Sequence, residues 1–197
     1  LIIHLAAQSI VSLSYKDPKD TLETNIIGSF NILEAVRKNK IENLIYVTSD
    51  KCYLNKDEKI IYVETDRLGG QDLYSASKAS AEIIFQAYIK SFFSKNKKIK
   101  FATARAGNVI GGGDMKKDRI VPDIMKSLLK NKKLIIRSPN SVRPWQHVLE
   151  PLHGYLILGN YLMMNKINSS IKPNWNFGPN IKNIKSVREI ANKSIEL

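Results

Sequence analysis

The chain has 197 residues, 43% of them hydrophobic and 25% charged, a balance that excludes a disordered chain; no apolar run approaches the roughly 18 residues of a membrane span. The net charge of +13 comes mostly from scattered lysines. Its densest runs, 95–100 and 130–133, each follow an amphipathic pattern, where cations suit a helix C-terminus, and no arginine–aromatic interleaving marks a nucleic-acid surface.

A single cysteine, Cys52, excludes an internal disulfide framework and most thiolate metal sites. The histidines, His4, His147 and His153, lie far apart, so no metal is expected. A reducing cytoplasm suits this composition.

In chain order, "LIIHLAA" (1–7) is a continuous apolar run, typical of a parallel strand covered on both faces. Residues 20–40 place Leu22, Ile26, Phe30, Leu33 and Val36 at helical spacing. "NLIYVTS" (43–49) is β-rich. "YSASKASAEIIFQAYIKSFF" (74–93) reads as a helix with a stripe of Ala81, Ile84, Phe85, Tyr88 and Phe92. "KIKFATARAGNV" (98–109) is another strand. Helices at 119–132 and 150–164 and short strands at 133–138 and 175–178 follow.

Strands alternating with helices predict a parallel α/β sheet with right-handed crossovers. Ligands in such sheets bind beyond the C-terminal ends of the strands. "HLAAQ", "TSDK" and "ARAGN" all fall at those ends.

The chemistry concentrates there. Tyr74 and Lys78 stand one helical turn apart at the start of a helix, so both side chains leave one face. A free phenol with a pKa near 10 is a poor base at neutral pH, and a neighbouring ammonium lowers that value. The pair can accept a proton from a sugar hydroxyl while a hydride leaves the same carbon. Ser49, at the end of the neighbouring strand, is placed to orient that hydroxyl. "GGGD" (111–114) is glycine-rich, but no helix with Lys-Ser/Thr follows, so it is not a phosphate loop. Cys52, beside this set, is read as packing.

"HLAAQ", "TSDKCY", "YSASKASAE", "RAGNVIGGGD", "DRIVPD", "RPWQHVLEPLHGYL" and "WNFGP" follow one another in order. With them the chain resembles the extended short-chain dehydrogenase/reductases, and within these the CDP-glucose branch of the sugar-nucleotide 4,6-dehydratases. The resemblance covers nearly the whole chain. It implies NAD as cofactor and CDP-glucose as substrate, with oxidation at carbon 4, loss of water across carbons 5 and 6, and hydride return to carbon 6. A homo-oligomer is implied too.

By the same resemblance Asp50 would be the general acid for the departing 6-hydroxyl. Lys51 replaces the glutamate of other dehydratases; it would be the carbon 5 base, given a pKa well below about 10.4, or would position Asp50. Ala6 and Ala7, with Tyr74 and Lys78, would contact the cofactor, and Gln8 would face the sugar. Asn25 would support the site from a helix. Asn108 would hold the diphosphate, Arg119 and Arg143 would pair with diphosphate or ribose oxygens, and His147 would orient the Arg143 loop. Met115 stands where the family usually has Trp, which puts one substrate-loop contact in doubt.

The expected fold is therefore a Rossmann-like doubly wound parallel sheet with a smaller α/β substrate domain. Residues 1–108 would form part of an NAD-binding domain and 109–197 part of a substrate-binding region, with 145–180 returning to the first. The glycine-rich dinucleotide fingerprint and its acidic partner are absent from the sequence. The chain is thus expected to begin mid-fold, lacking roughly 60 or more upstream residues, and to be inactive by itself. A related epimerase or reductase, or a non-catalytic remnant, are the alternatives; an epimerase needs no acid at the 6-hydroxyl, so Asp50–Lys51 argues against it.

Overall fold

Apolar runs settle into a parallel sheet only where helices can cover both faces. The computed structural model shows how this is done for residues 1–55, 61–94, 98–116, 118–164, 173–180 and 184–196; the lysine run at 95–97 lies outside the described residues. In chain order the elements are β1 (Ile2–His4), α1 (Val11–Lys16), α2 (Pro18–Leu22), a π-helical turn (Glu23–Ile27), α3 (Gly28–Lys38), β2 (Asn43–Val47) and a 3-10 turn (Asp50–Cys52). Then come α4 (Leu73–Tyr88) with a terminal π turn (Ile89–Phe93), β3 (Lys100–Ala106), β4 (Val109–Ile110), α5 (Ile120–Leu129), β5 (Val142–Arg143) and β6 (Gln146–His147). The last are α6 (Leu149–Met164), β7 (Asn174–Phe177), β8 (Lys185–Ser186) and α7 (Val187–Glu196).

The chain divides into two compact units, Leu1–Ala106 with Leu152–Phe177, and Gly107–Pro151 with Gly178–Leu197. The first unit holds a four-stranded sheet in the order β1-β2-β3-β7, parallel throughout. Alternation along the strands assigns the faces. Leu44 and Tyr46 of β2 and Phe101 of β3 join Leu33, Val36, Ala81, Phe85 and Phe93 in one core under α3 and α4. Ile45, on the opposite face, meets α6, where Tyr155, Leu158 and Leu162 are buried. A Cβ at Gly159 would lie 3.5 Å from the Ile45 Cδ1, in ordinary contact, and 2.7 Å from the Leu1 Cδ2. Helices thus cover both faces, and the fold is a Rossmann-like doubly wound sheet.

The buried face of α2–α3 differs from the apolar stripe read in the sequence. Leu22 and Phe30 are exposed, while Thr21, Asn25 and Ser29 are buried ahead of Leu33 and Val36. The π turn inserts a register shift, and each buried polar group has a hydrogen bond: Thr21 accepts from the Gln8 amide, Asn25 binds Gln8 and Ser77, and Ser29 bonds the Tyr46 hydroxyl. Satisfied polar groups of this kind can be buried without a large penalty. Phe92 is also exposed, with the Arg37 guanidinium 5.4 Å from its ring centroid.

In the second unit β4 pairs in parallel with β6, β5 pairs antiparallel with β8, and α5 packs on α7. Residues 133–138, expected as a strand, form no ladder among the described residues, and Ile135 is 79% exposed. An apolar run makes a strand only if a neighbouring strand meets its backbone N–H and C=O groups. None does here.

One buried ion pair joins the two principal layers of the first unit. Arg105 of β3, 1% exposed, forks onto Glu82 of α4, 0% exposed, through Nε–Oε1 at 3.0 Å and Nη2–Oε2 at 2.8 Å. Glu82→Ala leaves a guanidinium buried and unpaired. It is expected to cost about 3–5 kcal/mol in urea unfolding, while the double replacement of Glu82 and Arg105 by Met costs clearly less. Equal losses in the single and double variants would contradict this account.

Candidate active site

Ser49, Asp50 and Lys51 follow β2 directly. Ser49 is extended and caps the 3-10 turn: its Oγ accepts from the Lys51 N–H at 3.3 Å and donates to Asp50 Oδ1 at 3.0 Å. Leaving the strand this way turns the Asp50 and Lys51 side chains out of the ladder, and both remain half-buried. The turn packs against α4. The chain then leaves through Tyr53, whose N–H bonds the Asp50 carbonyl at 3.3 Å.

Helix α4 starts at Asp72, which caps it by accepting from the Ser75 N–H at 2.9 Å and the Ser75 hydroxyl at 2.6 Å. A loop glycine makes this start possible. A Cβ at Gly70 would fall 2.2 Å from the Ala76 nitrogen, so no larger residue fits against the first turn. Tyr74 and Lys78 leave that turn on one face, 7% and 6% exposed, with the Lys78 Nζ 6.0 Å from the Tyr74 ring centroid. Burial pulls the Lys78 pKa from 10.5 to about 8, against the opposing charge of Glu82.

Asn25 links this helix to the end of β1. Its Oδ1 accepts from the Gln8 N–H at 2.9 Å, and its Nδ2 donates to the Gln8 carbonyl at 3.0 Å and to Ser77 Oγ at 2.9 Å. The Ser77 hydroxyl in turn donates to the Tyr74 carbonyl at 2.7 Å. Asn25 sits in the π turn, a feature frequent at functional sites. Ala6 is exposed and Ala7 half-buried just past β1.

Gln8, expected to face the sugar, has a buried side chain that is bonded within the chain. Its Nε2 donates to Thr21 Oγ1 at 2.8 Å and to the Ile10 carbonyl at 3.2 Å, and its Oε1 accepts from the Ile10 N–H. It fixes the corner between β1 and α1. Cys52 is fully buried, and burial pushes its thiol pKa far up, so it is not a thiolate.

Asn108, Arg119, Arg143 and His147 belong to the second unit. The Asn108 carbonyl accepts from the Gln146 N–H at 3.0 Å, at the start of the β4–β6 ladder. That meeting of segments is close: a Cβ at Gly107 would lie 2.6 Å from the Pro144 Cγ. Arg119 begins α5 with its Nε 3.5 Å from Asp114 Oδ2. Arg143, half-buried, donates from Nη1 to the Val142 carbonyl at 2.8 Å. His147 Nδ1 accepts from the Leu149 N–H at 3.3 Å, at the first turn of α6.

Sequence reasoning passed over the residues that hold the site from behind: Thr48, Tyr53, Glu82 and Arg105. Two signals were present. Glu82 stands four and eight residues beyond Lys78 and Tyr74, a carboxylate beside the apolar stripe of Ala81 and Phe85. Arg105 is a charge inside the apolar run "FATARA". Two opposite charges each placed where an apolar residue belongs are best explained by each other.

A cleft of about 360 Å³ is lined by Arg37, Lys40, Glu42, Phe92, Phe93 and Ile99. These residues precede β2 and β3, so the cleft opens at the N-terminal ends of the strands, away from the chemistry. Among the described residues no group of three His, Cys, Asp or Glu could hold a metal, and no helix is long and apolar enough to cross a membrane.

The sequence model described as "NAD dependent epimerase/dehydratase family" matches residues 1–167. The CDP-glucose 4,6-dehydratase of Salmonella typhimurium is 43% identical over 202 residues, covering 100% of this chain and 56% of that protein. The dTDP-D-glucose 4,6-dehydratase of Dictyostelium discoideum is 33% identical over 150 residues, covering 69% of this chain and 32% of that protein. Among solved structures, a DesIV double mutant, dTDP-glucose 4,6-dehydratase from Streptomyces venezuelae with NAD bound, superposes at a TM-score of 0.83 and 21% identity, over 99% of this chain and 56% of that one. UDP-glucose 4-epimerase of Thermus thermophilus with NAD gives 0.78 and 23%, over 98% and 60%. These structures share the fold. The chain spans about half the length of the curated relatives it matches, 56% of the Salmonella protein.

The Lys78 shift has a consequence for stability. Below pH 8 both folded and unfolded chains carry the ammonium, and its burial costs about 3 kcal/mol at roughly 1.4 kcal/mol per pH unit. Between pH 8 and 10.5 the folded chain has released a proton that the unfolded chain still binds, so stability rises with pH. Lys78→Met is therefore expected to stabilise the protein by about 3 kcal/mol at pH 7, with the gain fading toward pH 10.5. Urea midpoints across that range are the check, and a destabilised variant at pH 7 would contradict it.

Proposed function

We propose that this chain, which belongs to the NAD dependent epimerase/dehydratase family, carries the catalytic residues of a CDP-glucose 4,6-dehydratase. The observation that carries this reading is the Ser49–Asp50–Lys51 turn packed against the helix of Tyr74 and Lys78. An oxidising pair and an acid–amine pair stand on adjacent elements, as a reaction at neighbouring sugar carbons requires. The 43% identity to the Salmonella CDP-glucose 4,6-dehydratase supports the nucleotide.

The residues fit the reacting half of NAD: a bare methyl, Ala6, is exposed at the end of β1, and a phenol and an ammonium stand on α4. When bound, NAD supplies a hydride acceptor for carbon 4 and a donor for carbon 6. Tyr74 and Lys78, with Ala6 and Ala7, would hold it. Tyr74 takes the proton of the 4-hydroxyl, and the Lys78 ammonium favours its phenolate. Ser49 orients the same hydroxyl. The carbon 4 ketone then acidifies the carbon 5 proton. Lys51 acts in the elimination, as the amine that removes this proton or as the group that sets Asp50, and Asp50 protonates the departing 6-hydroxyl. Water leaves, and return of the hydride to carbon 6 with a proton to carbon 5 would give CDP-4-keto-6-deoxyglucose.

Asn108, Arg119 and Arg143 are assigned to the diphosphate and ribose, because amide and guanidinium donors match phosphate oxygens. The family resemblance supports a homo-oligomer, and the single buried cysteine suits a reducing cytoplasm. A 4-keto-6-deoxy sugar nucleotide suits the synthesis of deoxysugars for surface polysaccharide such as O-antigen.

The complete protein, incubated with NAD and CDP-glucose, is expected to give the alkali-absorbing 4-keto-6-deoxy product, with UDP-, GDP- and dTDP-glucose turned over poorly. Turnover of another nucleotide sugar in preference would overturn the substrate, and interconversion at carbon 4 without loss of water would favour an epimerase. In the active protein, Asp50→Asn and Lys51→Met are each expected to lower kcat by about 100-fold or more, the usual worth of a positioned acid or base. A fully active Lys51→Met enzyme would remove Lys51 from the chemistry.

A further inference from the structure

Arg105 touches both halves of the candidate site from behind. Its rigid planar fork, Nε and Nη2, is spent on Glu82 at 3.0 and 2.8 Å. Glu82 lies one and two turns beyond Lys78 and Tyr74 on the buried face of α4. The remaining edge of the guanidinium, Nη1, donates to the Tyr53 hydroxyl at 2.8 Å and to the Glu64 carbonyl at 3.0 Å. Tyr53 ends the turn that carries Asp50 and Lys51, and its N–H holds the Asp50 carbonyl.

Tyr53 is itself fixed. Its hydroxyl donates to Asn176 Oδ1 at 2.6 Å, and its ring stacks on Tyr62 at 4.8 Å between centroids with an interplanar angle of 5°. Burial raises the pKa of this phenol, against the lowering effect of Arg105, so it stays protonated and keeps both bonds. Glu82 reaches the turn by a second route: its Oε1 accepts from the hydroxyl of Thr48, the residue before Ser49, at 2.5 Å.

We propose that Arg105 is a positioning residue, a clamp that sets the Ser49–Asp50–Lys51 turn against the Tyr74–Lys78 face of α4, with Tyr53 and Glu82 as its two jaws. The proposal rests on the dehydratase reading. In the proposed reaction oxidation at carbon 4 uses Tyr74 and Lys78 of α4 with Ser49 at the start of the turn, and elimination across carbons 5 and 6 uses Asp50 and Lys51 of the turn. The two sets must address adjacent carbons of one sugar ring, where an error of about 1 Å costs on the order of 100-fold in rate. A flexible side chain could not hold that spacing; a guanidinium with its N–H groups committed on both edges can.

Tyr53→Phe removes one hydroxyl and leaves the Glu82 fork in place. In the complete enzyme it is expected to lower kcat by about 10- to 100-fold with little change in KM. The deuterium isotope effect from carbon 5 should grow and that from carbon 4 should shrink, because Tyr53 holds Asp50 directly and elimination is disturbed more than oxidation. Arg105→Lys keeps the charge without the fork and should slow both steps. A structural role alone would lower stability and leave kcat and both isotope effects as in the wild type, which would overturn the clamp. An unfolding cycle of Tyr53→Phe, Glu82→Gln and the double variant needs no substrate. Non-additive losses are expected through the shared guanidinium, and additive losses would overturn the clamp. A wild type that turns over none of the nucleotide sugars would sink the dehydratase reading, and the unfolding cycle would still decide whether Arg105 couples the two jaws.

Discussion

Placing a glutamate and an arginine together at 0% and 1% exposure removes two charges from water at a cost of several kcal/mol each. Such a pair survives only if nearly every donor and acceptor is used. Here the fork to Glu82, the Tyr53 hydroxyl and the Glu64 carbonyl take all three guanidinium nitrogens, and Thr48 adds a donor to Glu82. Burial alone would lower the Arg105 pKa, but the bonds and charge of Glu82 outweigh it and raise the value. A hydrophobic pair could serve stability as well. What it could not do is fix helix α4, strand β3 and the turn after β2 in one register. The geometry of the candidate site depends on that register.

The same helix face carries a second buried charge with a different logic. Lys78 makes no salt bridge among the described residues, and burial draws its pKa down to about 8. Glu82 is paired and contributes register. Lys78 is left costly, and in the proposed function its ammonium would act on the phenol one turn away. The two sites sit four residues apart on α4. The rigid one steadies the strained one, and stability given up at Lys78 is compatible with a fold anchored at Arg105.

The strands and helices of the first unit were legible because their hydrophobic periods are strong: β2, β3 and α4 follow from apolar runs and helical spacing alone. The shared face of Tyr74 and Lys78 was legible from helical spacing, and the place of Asp50–Lys51 directly after β2 from the end of an apolar run. Two expectations differ from the structure for physical reasons. The α2–α3 stripe shifted because a π turn changes the register and because buried Thr21, Asn25 and Ser29 have partners that no single-helix pattern contains. The hydrogen bonds of Gln8 to Thr21 and Ile10 were not legible, because they depend on a corner that spacing does not encode. Residues 133–138 looked like a strand, but a strand is a property of two segments and the pattern describes one. Arg105 and Glu82 were visible as misplaced charges, yet only the fold makes them a pair.

The chain first passes from the first unit to the second between Ala106 and Gly107, one residue beyond Arg105. The division follows the demands on each set of side chains. Ser49, Asp50, Lys51, Tyr74 and Lys78 hang from a turn and a helix backed by the shared core of β2, β3, α3 and α4. Bond making and breaking tolerates errors of only a fraction of an ångström, and such cores are the parts of a protein least able to drift. Asn108, Arg119 and Arg143 stand beside two-residue ladders and a helix start, half-buried and bonded mainly to nearby backbone and carboxylate groups. In the proposed function these long side chains would meet a ligand's phosphates, where binding an anion through several donors tolerates small displacements that proton transfer does not. On that reading a substitution in the second unit would alter recognition while Arg105 keeps the chemistry in register, whereas a substitution at Glu82, Arg105 or Tyr53 would not spare it.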